Sequence, residues 1–184
     1  MTFERGFKAW AKTLATDARR ELGLDPFDPL DPFALAASVD IPVISLSDLV
    51  ASTPSIEHLL AVEPDVFSAV TVFDGPRRLI IHNDAHAPVR QVSNIGHELS
   101  HGLLGHPPTP ALDDSGCRVW NQIIEDEAAW LSGCLLVTEE IAMAIARRTM
   151  TVQTAAIRLG VSTRMVNFRV NAVGARKRVE RARN

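Results

Sequence analysis

Two histidines with three residues between them, in the stretch HELSH at residues 97–101, constrain the fold more than any other feature of the sequence. On an α-helix, residues i and i+4 lie one turn apart on the same face, so both imidazoles would point the same way, with Glu98 beside them. The same region carries an apolar stripe at helical spacing, formed by Val92, Ile95, Leu99 and Leu103. The sequence therefore predicts a helix over residues 88–104 that buries one face and presents its histidines on nearly the opposite face.

The two histidines allow two interpretations. Zinc takes nitrogen, sulfur or carboxylate ligands in a tetrahedral array, and His97 and His101 could both reach one ion while Glu98 acts as a base. The other interpretation is a surface helix with two solvated histidines, which fits the same helical phase. Only a metal site requires a third ligand elsewhere in the chain.

A carboxylate in the next predicted helix is the candidate third ligand. We expect the inward stripe of that helix to consist of Trp120, Ile123, Ile124, Leu131 and Leu135. Glu127 falls in the middle of this stripe, whereas Glu125 and Asp126 do not. Since an ionised carboxylate on a buried face is costly without a partner, Glu127 is predicted to complete a site with an open fourth position for water. A salt bridge from Glu127 to an arginine is the alternative.

The order of predicted elements indicates the α+β class. An amphipathic helix with Trp10 on its apolar face is expected over residues 3–22, and a short helix is expected to begin at Pro32 with Asp31 as its N-cap. Short β-branched runs predict three strands, with a hairpin turn between the second and third, at residues 43–44, 68–73 and 78–82. Three or four further helices are expected within residues 116–175. The prediction is a predominantly helical unit with a small β-sheet, followed by a C-terminal helix-turn-helix-like bundle.

Charge is distributed unevenly along the chain. Residues 141–184 carry ten basic side chains and one acidic side chain, a net charge of +9, which leaves −12 for residues 1–140 because the whole chain has −3. A reversal of this size predicts two parts, a first unit over residues 1–140 and a basic helical element over residues 141–184 that can meet nucleic acid or an acidic surface. The alternative is a solvated helical face that docks on the acidic first part.

The basic element contains a pattern typical of a helix-turn-helix. In TVQTAAIRLGVSTRMVNFRV, an alanine, a turn glycine and an apolar residue have the expected spacing at Ala156, Gly160 and Val166. The second helix would cover residues 163–170, where Arg164 and Arg169 could contact phosphates of DNA. Helical triples of this kind are also common packing units, and the same surface could instead dock a protein.

Other function classes find little support in the sequence. The apolar run at residues 128–137 is too short to span a bilayer, and the first ten residues mix charged and aromatic side chains, so we expect no signal peptide, no membrane partner and a cytoplasmic location. Cys117 and Cys134 are too few for a disulfide framework and are expected to be ordinary thiols.

Three segments together resemble the ImmA/IrrE metallopeptidase family. They are HELSHGLLGH, EDEAAWLSGCLLV and TVQTAAIRLGVSTRMVNFRVNAVG, and with the strand-like RLIIHND they extend the resemblance over most of residues 68–174. The resemblance implies a gluzincin-like endopeptidase that holds Zn²⁺ or Mn²⁺. It also implies that His97 and His101 bind the metal, that Glu98 is the general base and that Glu127 is the third ligand.

The sequence departs from the family pattern at two places. Gly105 separates the double leucine from His106, and Val137-Thr138 replaces a Met-Pro pair. Peptidases of this type often use tyrosine or histidine to stabilise the oxyanion, and this chain has no tyrosine. The remaining side-chain candidates for an oxyanion donor or an outer partner of the metal site are His106, Arg90 and Asn121.

The resemblance also implies a partner. Relatives cleave or engage helix-turn-helix repressors, so the expected substrate is a repressor of that type and the expected function is regulatory proteolysis. The alternative function is a DNA-binding regulator, or one component of a toxin-antitoxin pair, whose metal site supports partner binding rather than cleavage.

Overall fold

The computed structural model describes residues 3–63, 65–75, 77–107 and 121–183. Over these residues the chain forms, in order, α1 (Phe7–Glu21), α2 (Pro32–Ser38), β1 (Val43–Ser45), a 3-10 helix (Leu46–Leu49), α3 (Ile56–Ala61), β2 (Ala69–Asp74), β3 (Arg77–His82), α4 (Pro88–Leu103), α5 (Gln122–Leu136), α6 (Glu139–Ala146), α7 (Val152–Leu159), α8 (Thr163–Ala172) and α9 (Ala175–Arg181). The structure is mostly helical with one small sheet, so the predicted α+β class is confirmed.

The three described strands form one mixed sheet in the order β1-β3-β2. β1 runs parallel to β3 with Val43 opposite Ile80, and β2 pairs antiparallel with β3 through the hairpin in which Asp74 faces Arg77. The predicted strands agree with the observed ones to within one residue at each end. Because α4 packs across β2 and β3, the sheet supports the helix that carries the two histidines.

Helices α4 and α5 form the centre of the molecule. Ile95 and Leu99 on α4, and Leu131 and Leu135 on α5, are all fully buried. The helices approach closely at Gly96, where a Cβ atom would lie 3.2 Å from the Leu136 side chain and 3.3 Å from Ser132 Oγ. This contact fixes α4 against α5 at the residue that precedes His97.

The N-terminal helix α1 packs against this centre through small residues. Its buried line consists of Ala11, Ala15 and Ala18, and α1 packs along α5. Trp10 was expected on the apolar face but is 51% exposed, because the fully buried side of the helix is centred on Ala11 and Ala15 instead. The predicted N-cap of α2 is confirmed, since the Asp31 carboxylate accepts a hydrogen bond from the Phe33 amide at 2.9 Å.

The C-terminal helices pack on the same centre. α8 contacts α5, α6 and α7, and α9 contacts α6 and α8. Gly160 ends α7 in the left-handed conformation (φ 64°), and the Ser162 hydroxyl caps α8 by accepting from the Met165 amide at 3.1 Å. The predicted second helix at residues 163–170 lies within α8, while the helix-turn-helix arrangement, its function and the division at residue 140 stay predictions.

The prediction that Arg169 is exposed was wrong. The sequence suggested that Arg169 and Arg164 both face an external partner, but Arg169 is only 2% exposed, whereas Arg164 is exposed. The Arg169 Nε donates to the carbonyl oxygen of Val137 at 3.2 Å, and its guanidinium lies 5.3 Å from the Trp130 ring centroid. Arg169 therefore belongs to the core of this fold, because it lies on the buried side of α8 beside Val166 and Val170.

The most apolar helices, α5 and α6, follow one another across a bend of 73°. No single helix among the described residues is long and apolar enough to cross a bilayer, and this bent pair reaches that length and hydropathy only when both helices are combined. Leu131, Leu135 and Ile141 of the pair are fully buried in the protein core.

Candidate metal centre

Helices α4 and α5 bring two imidazoles and one carboxylate together. His97 and His101 of α4 and Glu125 of α5 each offer one ligand atom, and these atoms all lie within 4.8 Å of one another. The Nε2 atoms of the two histidines are 3.1 Å apart, and the Glu125 Oε2 lies 3.1 Å from His97 Nε2 and 3.8 Å from His101 Nε2. We call these three residues the ligand triad.

The spacing of the ligand triad fits a metal ion. Zinc binds imidazole nitrogen and carboxylate oxygen at about 2.0–2.2 Å, and tetrahedral geometry then separates neighbouring ligand atoms by about 3.3 Å. The three observed separations, from 3.1 to 3.8 Å, lie around that value. The triad therefore has the donor types and the approximate spacing for a zinc-like ion and leaves further coordination positions for other ligands.

The electrostatics of the triad favour a metal ligand at His101. Burial, followed by the charge of His97, lowers the pKa of His101 to about 4, although the Glu125 carboxylate acts in the opposite direction. The His101 imidazole is therefore neutral at pH 7. A neutral imidazole has the lone pair that a metal ion requires.

The carboxylate in the triad is Glu125 rather than Glu127, which the sequence predicted. Glu127 lies two residues further along α5, and its Oε2 is 3.2 Å from His106 Nε2 rather than next to His97. The expected inward stripe was wrong at Ile123, which is 59% exposed, and Trp120 lies outside the described residues. The first turns of α5 extend beyond the apolar core, so the apolar residues in those turns do not indicate which side of α5 faces α4. Glu127 as third ligand stays a prediction, and Glu125 is the carboxylate that the structure brings to the histidines.

Glu98 points towards the sheet. The Thr71 hydroxyl on β2 donates a hydrogen bond of 2.6 Å to Glu98 Oε2. β2 is an edge strand of the described sheet, so this contact holds the Glu98 carboxylate between α4 and the sheet edge. Nothing in the local sequence indicated Thr71, because the contact joins residues 27 positions apart.

The way in which α4 ends places His106 beside His101. Gly105 is in the left-handed conformation (φ 68°), its amide donates to the Gly102 carbonyl at 3.0 Å, and the His106 amide donates to the His101 carbonyl at 3.0 Å. These two bonds form a Schellman motif, which favours glycine at the position that Gly105 occupies. The inserted glycine therefore folds His106 back onto α4, with its Nδ1 2.9 Å from His101 Nδ1.

The other two candidates have structural partners. Arg90 forms an ion pair with Asp65, and its Nη2 donates to Ser68 Oγ at 3.2 Å. The Asn121 side chain caps α5 by accepting from the Ile123 amide at 3.1 Å. Neither residue contacts the ligand triad through these bonds. Their role as oxyanion donors stays a prediction, as does that of His106.

The chain matches a known protein family. The model described as Peptidase_M78, IrrE N-terminal-like domain, matches residues 62–171, which is more than half of the chain. The matched segment contains the triad, Glu98, Thr71, His106 and Glu127. No curated protein matches the chain in a sequence search.

Proposed function

The chain belongs to the IrrE N-terminal-like peptidase family, and on this premise we propose that it is a metal-dependent endopeptidase that acts on a protein partner. The observation that carries the proposal is the ligand triad, three potential ligand atoms within 4.8 Å of one another. Next to the triad in sequence is Glu98, a carboxylate suited to serve as a base. Metal-assisted hydrolysis requires these two components, a metal site and a group that moves the proton.

We propose zinc as the metal, with manganese as the second choice. Two imidazoles and a carboxylate suit zinc, while manganese prefers a larger share of oxygen ligands. His97, His101 and Glu125 would hold the ion, and the contacts of Glu125 with both histidines support it over Glu127 as the third ligand. A metal ion bound there would act as a Lewis acid on the scissile carbonyl group and make the attacking water more acidic.

Glu98 moves the proton in this proposal. Its carboxylate takes a proton from the attacking water and delivers that proton to the leaving amine nitrogen, so the carboxylate is regenerated when the amine departs. The Thr71 hydroxyl, 2.6 Å from Glu98 Oε2, fixes the orientation of the carboxylate. Holding the base in one orientation reduces the entropy that the reaction must lose on reaching its transition state.

We propose a helix-turn-helix repressor as the substrate, cleaved in the cytoplasm. Membership in the family supports a protein substrate, and the basic C-terminal helices offer a surface to an acidic partner. A DNA-binding regulator or a toxin-antitoxin component is the second candidate. The observation that favours DNA binding is Arg164, which is exposed at the start of α8 in a segment of net charge +9.

Metal content and cleavage test the proposal together. Wild-type protein dialysed against a weak chelator should retain about one zinc or manganese per chain by elemental analysis. Glu98→Gln should retain the same metal and lose cleavage of a repressor encoded beside the gene, because the amide cannot accept the proton. Thr71→Ser is the matched control, since it keeps the hydroxyl that orients Glu98.

The results separate the candidate functions. Metal retention with loss of cleavage in Glu98→Gln supports the peptidase. Cleavage that persists in Glu98→Gln would remove Glu98 as the base. Metal binding without cleavage by the wild type, combined with DNA affinity that falls steeply with salt, would favour the regulator.

A further inference from the structure

A cavity of about 270 Å³ lies beside the C-terminal end of α5, at the opposite end from the ligand triad. Residues of α1, α6, α8 and the last turn of α5 line it, and Arg19 and Arg169 are in its wall. Cys134, the lining residue on α5, follows Glu125 by nine residues, which is about 14 Å along a helix. The cavity is therefore separate from the candidate metal centre, and we call it the arginine cavity.

The two arginines in the wall of this cavity are buried. Arg19 is 4% exposed and Arg169 is 2% exposed. The Arg19 guanidinium donates to three carbonyl oxygens, whereas the only hydrogen bond of the Arg169 guanidinium among the described residues runs from Nε to the Val137 carbonyl. Arg169 Nη1 is buried without a partner in that part of the chain. A guanidinium has more N–H donors than this one bond uses, and leaving them unsatisfied is costly, so Arg169 has donors available for an anion.

Neither guanidinium forms an ion pair with a carboxylate in the part of the chain that the structure describes. Three carboxylates line the cavity, but Glu139 pairs with Lys12 at 2.8 Å and with Arg178, and Asp25 and Glu140 are exposed to water. Burial lowers the pKa of both guanidiniums, because their positive charges are not fully compensated. Buried charges in proteins normally have a counter-charge, so the charge that is missing from this cavity is negative.

Volume and access limit the occupant to a small molecule. A volume of about 270 Å³ is near the lower end of the range of about 300–1,000 Å³ that is typical of small-molecule pockets. Lys12 and Arg20 line the cavity and are exposed, so the cavity opens to solvent on the side of α1. The backbone of a nucleic acid could not reach the guanidinium of Arg169, which is buried.

We propose that the arginine cavity binds a small molecule through a carboxylate or phosphate group, with Arg169 and Arg19 as the cations that contact it. A planar guanidinium recognises both kinds of group through charge-assisted N–H···O bonds. The bonds that the two arginines make to carbonyl oxygens hold the guanidiniums in place before the ligand arrives. The site requires neither a metal ion nor cleavage, so it does not depend on the proposed function.

Titration of the metal-free wild type with minimal anions tests the site without any variant. Inorganic phosphate and acetate are the probes, and sodium chloride at the same ionic strength is the control. The NMR signals of the Nε–Hε groups of Arg19 and Arg169 should shift saturably with at least one probe, because a bound anion changes the charge next to them. The probe that saturates the shift at the lower concentration distinguishes a phosphorylated ligand from a carboxylic acid.

Two variants locate the binding. Arg169→Met removes the unused donors and keeps an apolar side chain beside Trp130, and it should weaken anion binding, followed through the Arg19 signal, by about 10-fold or more. Arg164→Met is the matched control. It removes the same charge from the exposed face of α8 and should bind the anion within roughly 2-fold of the wild type, since solvent and salt screen that charge.

Three results would overturn the proposal. The wild-type signals would shift with phosphate and acetate only as much as they shift with sodium chloride. Arg169→Met would bind the anion as tightly as the wild type does, so the site would lie elsewhere. Arg164→Met and Arg169→Met would weaken binding equally, so the anion would respond to the net charge of α8 and not to the cavity.

Discussion

The two ends of α5 use charged residues in opposite ways. At the N-terminal end, Glu125 contacts the two histidines of α4 and Glu127 contacts His106, which follows α4, and their side chains are 27% and 18% exposed. At the C-terminal end, the guanidiniums of Arg19 and Arg169 are almost fully buried, and they donate to the carbonyl oxygens of Leu135 at 2.9 Å and Val137 at 3.2 Å. At the N-terminal end the charged groups are accessible to a ligand. At the C-terminal end they donate hydrogen bonds to the carbonyl groups where the helix stops.

This difference shows why a buried charge alone is a weak guide to function. Arg169 Nη1 has no hydrogen-bond partner among the described residues, yet the side chain packs on Trp130 and completes the end of α5. Helix termini leave carbonyl groups unsatisfied, and a buried terminus needs donors from elsewhere. The hydrogen bonds of the arginine end are therefore explained by the fold, while the carboxylate end has the donor atoms for the proposed metal ion.

The largest expected effect is at the carboxylate end. Glu125→Ala removes one of three proposed ligands, so we expect zinc affinity to fall by more than the roughly 10- to 100-fold loss expected from removing an outer partner. Elemental analysis after dialysis, with Asp126→Ala as the control, measures the change. If Glu125→Ala keeps its zinc and Glu127→Ala loses it, the third ligand is Glu127, the carboxylate that the sequence favoured.

The next largest effect is on stability at the arginine end. Arg19 donates to three carbonyl oxygens, those of Leu135, Asp25 and Asp28, so Arg19→Met should destabilise the protein by roughly 3–5 kcal/mol. Arg169→Met removes one such bond together with an incompletely paired buried charge, and should cost about 1 kcal/mol. Urea denaturation measures both. Equal losses would show that the number of carbonyl partners does not determine the contribution of each arginine.

Lowering the pH should destabilise the metal-free protein through His101 at the carboxylate end of α5. The arginine end should contribute no dependence on pH. The pKa of His101 in the folded protein, about 4, is below the unfolded value of 6.5, so the unfolded chain binds more protons between these values. Stability present above pH 6.5 is therefore lost as the pH falls towards 4, with a limiting slope of about 1.4 kcal/mol per pH unit. Urea denaturation of metal-free protein at pH 7 and pH 5 measures this loss.

His101→Gln is the informative variant for the acid effect. It should lose less stability between pH 7 and pH 5 than the wild type, while Arg19→Met should lose as much as the wild type does. Some loss will persist in every variant, because burial also lowers the pKa of His82. An unchanged slope in His101→Gln would remove His101 as a source of the pH dependence.

The smallest stability effect is expected on the exposed face of α8. Arg164→Gln should change the free energy of unfolding by less than about 0.5 kcal/mol, in contrast to the buried Arg169 on the same helix. If α8 binds DNA, the same variant should lower DNA affinity and reduce its dependence on salt. DNA affinity that is absent, or unaffected by salt, would leave protein docking as the function of this surface.

The sequence by itself determined the elements of this protein and the placement of the two histidines. Positions i and i+4 share a helix face by local geometry, so His97 and His101 had to lie together wherever α4 packed. The short β-branched runs and the capping residue Asp31 likewise act within a few residues, and the strands and α2 formed where they were predicted. Local rules sufficed for these features.

Only the tertiary structure decided which carboxylate meets the histidines and which arginines are buried. Glu125 and Glu127 are two residues apart on α5, and the rotation of that helix against α4, fixed by the close contact at Gly96, decides which one reaches His97. Arg164 and Arg169 differ in the same way, because α8 packs on α5 with one side. A helix rotates each successive residue by 100°, so the role of a charged residue depends on a packing angle that its own sequence does not contain.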